Sequence, residues 1–243
     1  MKIAIFGANG PTGRILTRQV LDAGHAVAAV TRNPGEFPLD APGLTVVGAD
    51  VYNSEEVERV VAGQDAVLST LGVPYGRQPI RVYSEGTGNI MRAMTRHGVR
   101  RLVCVSSSAT DPAAGPHGGI FFSKVLQPLI TNLLGRTLYE DMRRMEAAVA
   151  ESGLEWTIMR PSGLFETESV TDYRMAVDYL NGTFTSRTDL ADSMLRQLSS
   201  SEYVRKVAAV ATFDQKPSLI RMIAREASSK KSAPDRTFEG DPS

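Results

Sequence analysis

Met1-Lys-Ile-Ala-Ile-Phe-Gly-Ala-Asn-Gly-Pro-Thr-Gly13 opens the chain, and its three glycines follow a short apolar run. The run predicts a buried β-strand, and the amphipathic stretch from Arg14 to Gly24 predicts a helix behind the glycines. Gly7 permits a tight turn, Gly10 lets a phosphate approach the backbone, and Gly13 lets the helix pack closely on the sheet. Because a helix N-terminus favours negative charge, this arrangement predicts a site for a dinucleotide pyrophosphate.

The type of dinucleotide is indicated about twenty residues after the glycines, where Thr31-Arg32-Asn33 ends a second apolar run that starts at His25. An NAD site usually carries Asp or Glu there, to bind the ribose 2′-hydroxyl. Arg32 instead offers a guanidinium for a 2′-phosphate, and neither of its neighbours brings a repelling carboxylate. The sequence therefore predicts NADP as the cofactor. Arg14 either helps to bind the phosphates or is a solvated helix residue.

The composition agrees with an enzyme-sized domain. The chain has 243 residues and is 42% hydrophobic, enough to bury a sizeable core. Its 27 Lys and Arg residues balance 27 Asp and Glu residues, so no net charge attracts nucleic acid or an anionic membrane surface. The apolar run from Ile3 to Phe6 is too short for a signal peptide, and no run reaches the length of a membrane span. We therefore expect a cytoplasmic protein that binds neither nucleic acid nor membranes.

Strand-like and helix-like stretches alternate along the rest of the chain. Further strands are predicted at 44–48, 65–70, 101–106 and 154–160, and further helices at 54–62 and 79–97. Ser54 is the predicted N-cap of the first of these helices. Right-handed crossovers between parallel strands then predict an α/β fold, a doubly wound Rossmann-type parallel sheet with helices on both faces. We expect one domain over residues 1–227, with a short helix at 217–227, and a disordered tail at 228–243.

Six short motifs stand out beyond this alternation. They are Gly7-Ala-Asn-Gly-Pro-Thr-Gly13, Val47-Gly-Ala-Asp-Val51, Gly63-Gln-Asp-Ala-Val67, Ser84-Glu-Gly-Thr-Gly-Asn-Ile90, Glu151-Ser-Gly-Leu-Glu-Trp-Thr-Ile-Met-Arg-Pro161 and Ser186-Arg-Thr-Asp-Leu-Ala-Asp192. Through them the chain resembles the atypical short-chain dehydrogenase/reductase families that bind NADP, in particular flavin reductase and biliverdin-IXβ reductase. The resemblance covers most of residues 1–212. It implies a reductase fold and an NADP site, without implying one particular acceptor.

The resemblance also implies places along the cofactor. Asp50 and Val51 would lie beside the adenine, Leu71 and Gly72 along the dinucleotide, and Pro161 to Leu164 near the nicotinamide; ordinary strand-end and turn chemistry is the alternative interpretation. The predicted cofactor-binding residues are Gly7, Asn9, Gly10, Pro11, Thr12, Gly13, Arg14, Arg32, Asp50, Val51, Leu71, Gly72, Ser106, Pro161, Ser162, Gly163 and Leu164.

Candidate catalytic residues follow the strand at 101–106 and lie on the next helix. Ser107 falls at the active-site serine of the resembled families, although serines also satisfy loop backbone groups. The Tyr-x-x-x-Lys pair of short-chain dehydrogenases is absent: Lys124 has isoleucine four residues earlier, whereas Tyr139 is followed by Arg143 at helical spacing. An arginine holds ribose or stabilises a phenolate but relays no proton. The sequence predicts Tyr139 and Arg143 on a ridge beside the apolar stripe of their helix, facing either a pocket or solvent.

The segment between Ala109 and Leu138 is expected to choose the substrate. Asp111 to Gly119 is rich in glycine and proline, as in an irregular loop, and His117 within it is a possible acid or a solvated side chain. The apolar stretch from Ile120 to Leu134 would cover a flat acceptor, form a homodimer contact, or pack in the core.

Other chemistries lack their sequence signals. The three histidines show no metal-ligand spacing, and Gly-x-Ser-x-Gly and Gly-Lys-Ser/Thr motifs are absent. The single cysteine, Cys104, is predicted to be a buried strand residue. The sequence therefore predicts an NADPH-dependent reductase of a small or flat conjugated acceptor, such as a flavin, quinone or tetrapyrrole. The alternatives are a non-catalytic NADP-binding redox sensor of the NmrA type and, less favoured without the phenol–lysine pair, a sugar-nucleotide epimerase.

Overall fold

The structure is a computed structural model that describes residues 1–74, 78–111 and 136–214. Its strands are β1 (Lys2–Phe6), β2 (Ala26–Thr31), β3 (Leu44–Gly48), β4 (Ala66–Ser69), β5 (Arg101–Val105), β6 (Glu155–Pro161), β7 (Gly163–Phe165), β8 (Tyr173–Val177), β9 (Phe184–Ser186) and β10 (Lys206–Thr212). Its helices are α1 (Pro11–Asp22), α2 (Ser54–Val61), α3 (Thr87–His97), α4 (Arg136–Glu151) and α5 (Arg187–Arg196). The predicted helix at 217–227, the predicted tail at 228–243, the stretch from Ile120 to Leu134, His117 and Lys124 lie outside the described residues.

The main sheet has eight strands in the order β3-β2-β1-β4-β5-β6-β10-β8. All neighbouring pairs are parallel except β10 and β8, which are antiparallel at one edge. From β1 the chain winds outward to β2 and β3, and then returns to the other side of β1 to form β4. The prediction of a doubly wound α/β fold is therefore confirmed.

Two hydrophobic cores lie on opposite faces of this sheet, and β1 contributes to both. Ile3 and Ile5 pack with apolar residues of α1 and α5, whereas Ala4 and Phe6 pack with apolar residues of α2, α3 and α4. Because successive strand residues point to opposite faces, a strand covered on both sides is apolar at nearly every position. This burial explains why the short run before the first glycine is uniformly apolar.

Two helix boundaries differ from the prediction. Helix α1 begins at Pro11 rather than at Arg14, with the glycine turn leading directly into it. Proline suits the first helical position because its fixed φ is already helical and its missing N–H would have no partner there. Helix α2 begins at Ser54 as predicted, but Asn53 is its N-cap: the Asn53 side chain accepts hydrogen bonds from the backbone N–H groups of Glu55 and Glu56 at 3.1 and 3.3 Å. The prediction of Ser54 as the cap was wrong.

The predicted helix at 79–97 is shorter and less regular than expected. A π-helical turn at Val82–Gly86 precedes α3. The fully buried carboxylate of Asp141, on α4, accepts hydrogen bonds from the backbone N–H groups of Tyr83 and Ser84 at 2.9 and 3.3 Å. The N–H groups at the start of this segment are therefore satisfied by a side chain from a distant helix. Local periodicity of the sequence does not reveal such a contact.

The elements after β6 were the hardest to predict from the sequence. Strands β7 and β9 have three residues each and pair in a small parallel sheet of their own. Strands this short carry almost no alternating pattern. Helix α5 begins after Ser186, whose side chain accepts a hydrogen bond from the Asp189 N–H at 2.9 Å. None of the helices in the three described ranges combines the length and apolarity needed to cross a bilayer.

Candidate active site at the carboxyl edge of the sheet

Most of the predicted site residues lie at the carboxyl edge of the main sheet. The strands flanking the point where the winding reverses end in register, with Phe6 of β1 beside Ser69 of β4 and Ser69 beside Cys104 of β5. In open α/β sheets, ligands bind in the crevice at such a reversal point. The segments that follow the strand ends here are Gly7–Gly13 after β1, Arg32 after β2, Asp50 and Val51 after β3, Leu71 and Gly72 after β4, Ser106 and Ser107 after β5, and Pro161–Leu164 at the end of β6.

The glycine turn has close backbone contacts that exclude side chains at two positions. Gly7 adopts a φ of +75°, and a Cβ there would lie 2.7 Å from the carbonyl oxygen of Thr70. A Cβ on Gly13 would lie 2.2 Å from the carbonyl oxygen of Gly7. At Gly10 a Cβ would meet one neighbour within 4 Å, the Gly7 carbonyl oxygen at 3.3 Å. The space beside Gly10 is therefore open for a group such as a phosphate.

The first turn of α1 lies directly behind this open space. Pro11 and Thr12 occupy its first two positions, and the Arg14 guanidinium donates to the Asn9 side-chain oxygen at 3.0 Å on the exposed side. The N–H groups at a helix start have no partner within the helix. The Thr12 hydroxyl accepts a hydrogen bond at 3.2 Å from Arg187, a residue to which the sequence assigned no role.

Two loops flank the glycine turn on the β2 and β3 side. Arg32 is exposed immediately after β2. The Asp50 carboxylate accepts a hydrogen bond from the Tyr52 N–H at 3.0 Å, and the Val51 carbonyl accepts one from the Asn89 amide at 2.7 Å. Asn89 belongs to the motif at 84–90, and its bond to Val51 shows what that motif contributes structurally: α3 holds the loop after β3 in place. Leu71 is half-buried and Gly72 is exposed after β4.

The loop after β5 contains the predicted serines. Ser106 is buried, and its hydroxyl has no hydrogen-bond partner among the described residues. A buried hydroxyl of this kind is available to a partner outside the described residues, such as a bound ligand. The Ser107 hydroxyl accepts a hydrogen bond from the Ala109 N–H at 3.2 Å, and the Ser107 carbonyl accepts one from the Thr110 hydroxyl at 2.7 Å. The Ser107 hydroxyl therefore satisfies a backbone N–H group of its own loop, as the alternative interpretation of this serine expected.

Tyr139 and Arg143 lie one turn apart on α4 but differ in burial. Tyr139 is 7% exposed and packs in the core that faces α2, α3 and α4, whereas Arg143 is exposed. The Arg143 guanidinium donates to the Thr110 carbonyl at 2.8 Å. The structure therefore places Arg143 against the turn that begins at Ser107, and Tyr139 on the buried side of the helix.

A buried ion pair beneath this turn was not predicted. The Arg160 guanidinium on β6 donates to both carboxylate oxygens of Glu146 on α4, at 3.0 and 2.7 Å, and the Thr110 hydroxyl oxygen lies 3.1 Å from the same carboxylate. The two charged side chains are 13% and 11% exposed. Burial lowers the pKa of Arg160, but the hydrogen bonds and charge of Glu146 outweigh it and raise the pKa above its ordinary value. In the sequence, this pair could have been suspected from Glu146, a charged residue among the apolar positions of α4.

Hydrogen bonds from Ser162 hold the segment at the end of β6 in place. The Ser162 N–H donates to the Thr185 hydroxyl at 2.9 Å, and the Ser162 hydroxyl donates to the Gly182 carbonyl at 2.7 Å. Pro161 is buried, Leu164 is half-buried, and Gly163 begins β7. The segment from Pro161 to Leu164 is thus fixed at the carboxyl edge by Gly182 and by Thr185 of β9.

Cys104 is fully buried in β5, which confirms its prediction as a strand residue. Burial, and secondarily the charge of Glu146, raises the pKa of the Cys104 thiol to about 12. A thiol that stays protonated at neutral pH is a poor nucleophile.

The family model described as NAD(P)H-binding matches residues 7–201, from the first glycine of the turn to beyond α5. The chain belongs to this NAD(P)H-binding family. Among its relatives is an uncharacterised chloroplastic protein of Arabidopsis thaliana, 29% identical over 96% of this chain and 80% of the relative. An uncharacterised Mycobacterium tuberculosis protein is 29% identical over 68% of this chain. The matched region covers 15% of that relative's length.

Solved structures show the same fold as this NAD(P)H-binding family member. A short-chain dehydrogenase/reductase of Veillonella parvula in complex with NADP has a TM-score of 0.73 at 20% identity, covering 90% of this chain and 99% of that one. An anaerobilin reductase of Escherichia coli O157:H7 has a TM-score of 0.68 at 18% identity, covering 90% and 100%. The resemblance to atypical short-chain dehydrogenase/reductases is confirmed, and the fold is of the NAD(P)H-dependent oxidoreductase type.

Proposed function

We propose that this protein is an NADPH-dependent reductase that delivers hydride to a flat conjugated acceptor of the flavin, quinone or tetrapyrrole class. One observation carries the cofactor part of the proposal: the exposed guanidinium of Arg32 follows β2 at the edge where the glycine turn lies. NAD-binding proteins of this fold carry a carboxylate at that position. The Veillonella parvula neighbour, solved with NADP, has the same fold.

The residues at the carboxyl edge fit such a cofactor. The open space at Gly10 and the first turn of α1 suit the pyrophosphate, and Arg32 suits a 2′-phosphate. The orphan hydroxyl of Ser106 provides a hydrogen-bonding group near the end of β5. NADPH supplies a hydride when bound. The protein's own part is to hold the two reacting rings in contact, exclude water and orient the acceptor.

The proposed class of acceptor is supported by the surroundings of Ser107 among the described residues. Tyr139 lies on the buried side of α4, and its partner at helical spacing is an arginine engaged with the Thr110 carbonyl. A lone carbonyl acceptor needs a positioned acid for the developing alkoxide. A delocalised ring needs mainly proximity, and solvent is able to protonate it. The fold shared with an anaerobilin reductase supports the same class.

The first test concerns cofactor choice. NADPH is expected to bind more tightly than NADH by about 1 to 3 kcal/mol, the scale of a charge-assisted hydrogen bond to a phosphate. Arg32→Asp is expected to erase or reverse that preference, because the introduced carboxylate repels the 2′-phosphate and accepts from a 2′-hydroxyl. Titration calorimetry with both cofactors measures this. Arg59→Asp, the same charge change at an exposed position late in α2, should leave the preference unchanged. Equal affinities of the unmodified protein for NADPH and NADH would refute the choice of NADP.

The second test separates a reductase from a sensor. NADPH oxidation is followed against flavins, quinones, tetrapyrroles and simple carbonyls. With a flat ring as acceptor, Tyr139→Phe should lower kcat/KM by less than about tenfold, and Ser107→Ala by somewhat more. A loss of about 10²- to 10⁴-fold in Tyr139→Phe with a lone carbonyl would instead identify Tyr139 as a general acid and contradict the proposed class of acceptor. Tyr203→Phe, at a comparably buried tyrosine before β10, is the control. Tight NADPH binding without oxidation of any acceptor would leave the redox sensor as the function.

A further inference from the structure

The residues that follow β5 form a short turn over 107–111, which we call the serine turn. It contains a single turn of 3₁₀-helix at Ser108–Thr110, and Ser107 is the N-cap of that helix. The Ser107 hydroxyl oxygen accepts from the Ala109 N–H at 3.2 Å, so the hydroxyl proton is a donor for a further acceptor, such as a ring carbonyl of a flavin or quinone. The place of this hydroxyl therefore depends on the conformation of the serine turn.

A turn of this length has little stability of its own. It is closed by a hydrogen bond from the Thr110 N–H to the Ser107 carbonyl at 3.1 Å, and 3₁₀ hydrogen bonds have poor geometry. The Thr110 hydroxyl lies 2.7 Å from the same carbonyl and 3.1 Å from the Glu146 carboxylate, to which Arg160 donates. Contacts with α4 and β6 therefore support the serine turn.

Arg143 adds a support that lies at the surface. Its Nε donates to the Thr110 carbonyl at 2.8 Å, and Thr110 itself is 3% exposed. The pair of Glu146 and Arg160 is buried, so its loss is expected to affect the whole fold. Arg143 is exposed, and its removal leaves the packing of the core as it is. The contribution of Arg143 can therefore be measured separately from the stability of the protein.

This contact gives Arg143 a role different from that of the lysine in a Tyr-x-x-x-Lys pair. Such a lysine acts on the phenol four residues before it. Here Tyr139 is 7% exposed and packs in the core, whereas the Arg143 guanidinium is bound to the carbonyl three residues after Ser107. The helical spacing of the pair is kept, but the arginine contacts the serine turn.

We propose that Arg143 is a positioning residue, which fixes the Ser107 hydroxyl against the acceptor by holding the Thr110 carbonyl. This inference rests on the proposed function, since it concerns how the same site orients its acceptor. Arg143 contacts neither reactant in this role and acts through the serine turn. A displacement of about 1 Å is enough to slow a reaction that depends on proximity and orientation. The hydrogen bond of Arg143, rather than its charge, is what fixes the turn.

Two substitutions separate the hydrogen bond from the charge. The amide nitrogen of glutamine stands as many bonds from the backbone as Nε of arginine, so Arg143→Gln keeps a donor in place and removes the charge. Arg143→Met removes both. Arg136→Met is the matched control, because Arg136 is an exposed arginine on the same helix and its Nε pairs with Glu140 at 2.9 Å.

Catalysis is measured as NADPH oxidation with the flavin, quinone or tetrapyrrole that the wild-type protein reduces fastest. Arg143→Met is expected to lower kcat/KM for this acceptor by about three- to tenfold, no more than Ser107→Ala does, and to leave NADPH affinity unchanged in titration calorimetry. Arg143→Gln should keep most of the activity, and Arg136→Met should match wild type. In a Ser107→Ala protein, Arg143→Met should cause no further loss, because the hydroxyl that it positions is gone.

Amide hydrogen exchange, followed by NMR without cofactor or acceptor, tests the inference independently of activity. The N–H groups of Ala109 and Thr110 are bonded to Ser107 within the serine turn. In Arg143→Met both should exchange about three- to tenfold faster, because the turn opens more often, while Val103 in β5 keeps its wild-type rate. In Arg143→Gln the rates of both turn amides should stay close to wild type.

Each outcome supports or overturns the inference. Unchanged kcat/KM, or unchanged exchange of the two turn amides, in Arg143→Met overturns it and leaves the proposed function standing. The same holds if Arg143→Met costs as much in the Ser107→Ala protein, if Arg143→Gln loses as much as Arg143→Met, or if Ser107→Ala is as active as wild type. Faster exchange at Val103, or an unfolded Arg143→Met protein, assigns Arg143 to fold stability and also overturns it. A wild-type protein that reduces none of these acceptors overturns both the inference and the proposed function.

Discussion

Gly10→Val is expected to weaken NADPH binding by more than about 100-fold while the protein stays folded, because the branched side chain fills the space proposed for the pyrophosphate. The expected folding follows from the surroundings of Gly10. Its φ of −71° is open to any residue, and an added Cβ meets only the Gly7 carbonyl oxygen, at 3.3 Å, within 4 Å. Calorimetry gives the affinity, and circular dichroism with thermal unfolding tests the fold.

Two glycines serve as controls for this experiment. Gly153, between α4 and β6, has open space around its would-be Cβ and lies at the opposite edge of the sheet, so Gly153→Val should bind NADPH normally. Gly13→Ala should instead destabilise the fold, because its Cβ would lie 2.2 Å from the Gly7 carbonyl oxygen. A folded Gly10→Val protein with unchanged NADPH affinity would remove the cofactor from this turn.

Arg160→Met is expected to lower the free energy of unfolding by about 3 to 5 kcal/mol, the cost of leaving a buried charge without its partner. The substitution strands the Glu146 carboxylate, whose side chain is 11% exposed and which, among the described residues, then has only the Thr110 hydroxyl within hydrogen-bond distance. Urea unfolding monitored by circular dichroism measures the loss.

The double variant Arg160→Met/Glu146→Leu is the matched comparison. Replacing both charges by apolar groups removes the stranded carboxylate, so the double variant should recover most of the lost stability. Arg100→Met provides the surface control: Arg100 pairs with Glu155 at 2.9 Å, but its side chain is 67% exposed, and such pairs contribute about 0 to 1 kcal/mol. A double variant no more stable than Arg160→Met would show that the pair is not the cause.

Local features of the sequence predicted the parts of the fold that depend on near neighbours. The strand at 44–48 was predicted with the boundaries it has, and the glycine turn lies between a strand and a helix as expected. The apolar stripe of α4, Leu138, Met142, Met145 and Val149, is buried as predicted. Hydrophobic periodicity and glycine sterics act over a few residues, so the sequence displays them directly. The ends of parallel strands meet at one edge, which is why candidate cofactor residues spread from Gly7 to Leu164 lie together there.

Contacts between distant segments had no local signal and were decided by tertiary packing. The periodicity of α4 left open whether Tyr139 faces a pocket, and the docking of α4 against the sheet placed it in the core. Asp141 binds the start of the π-helical turn across 58 positions in the chain. Arg187 reaches Thr12 only because α5 packs on α1. The sequence by itself thus determined the sheet, the glycine turn and the edge where the candidate site residues lie, because these follow from short-range sterics and strand direction. Which charged groups surround that edge depends on how helices far apart in the chain pack together, and only the tertiary structure decided it.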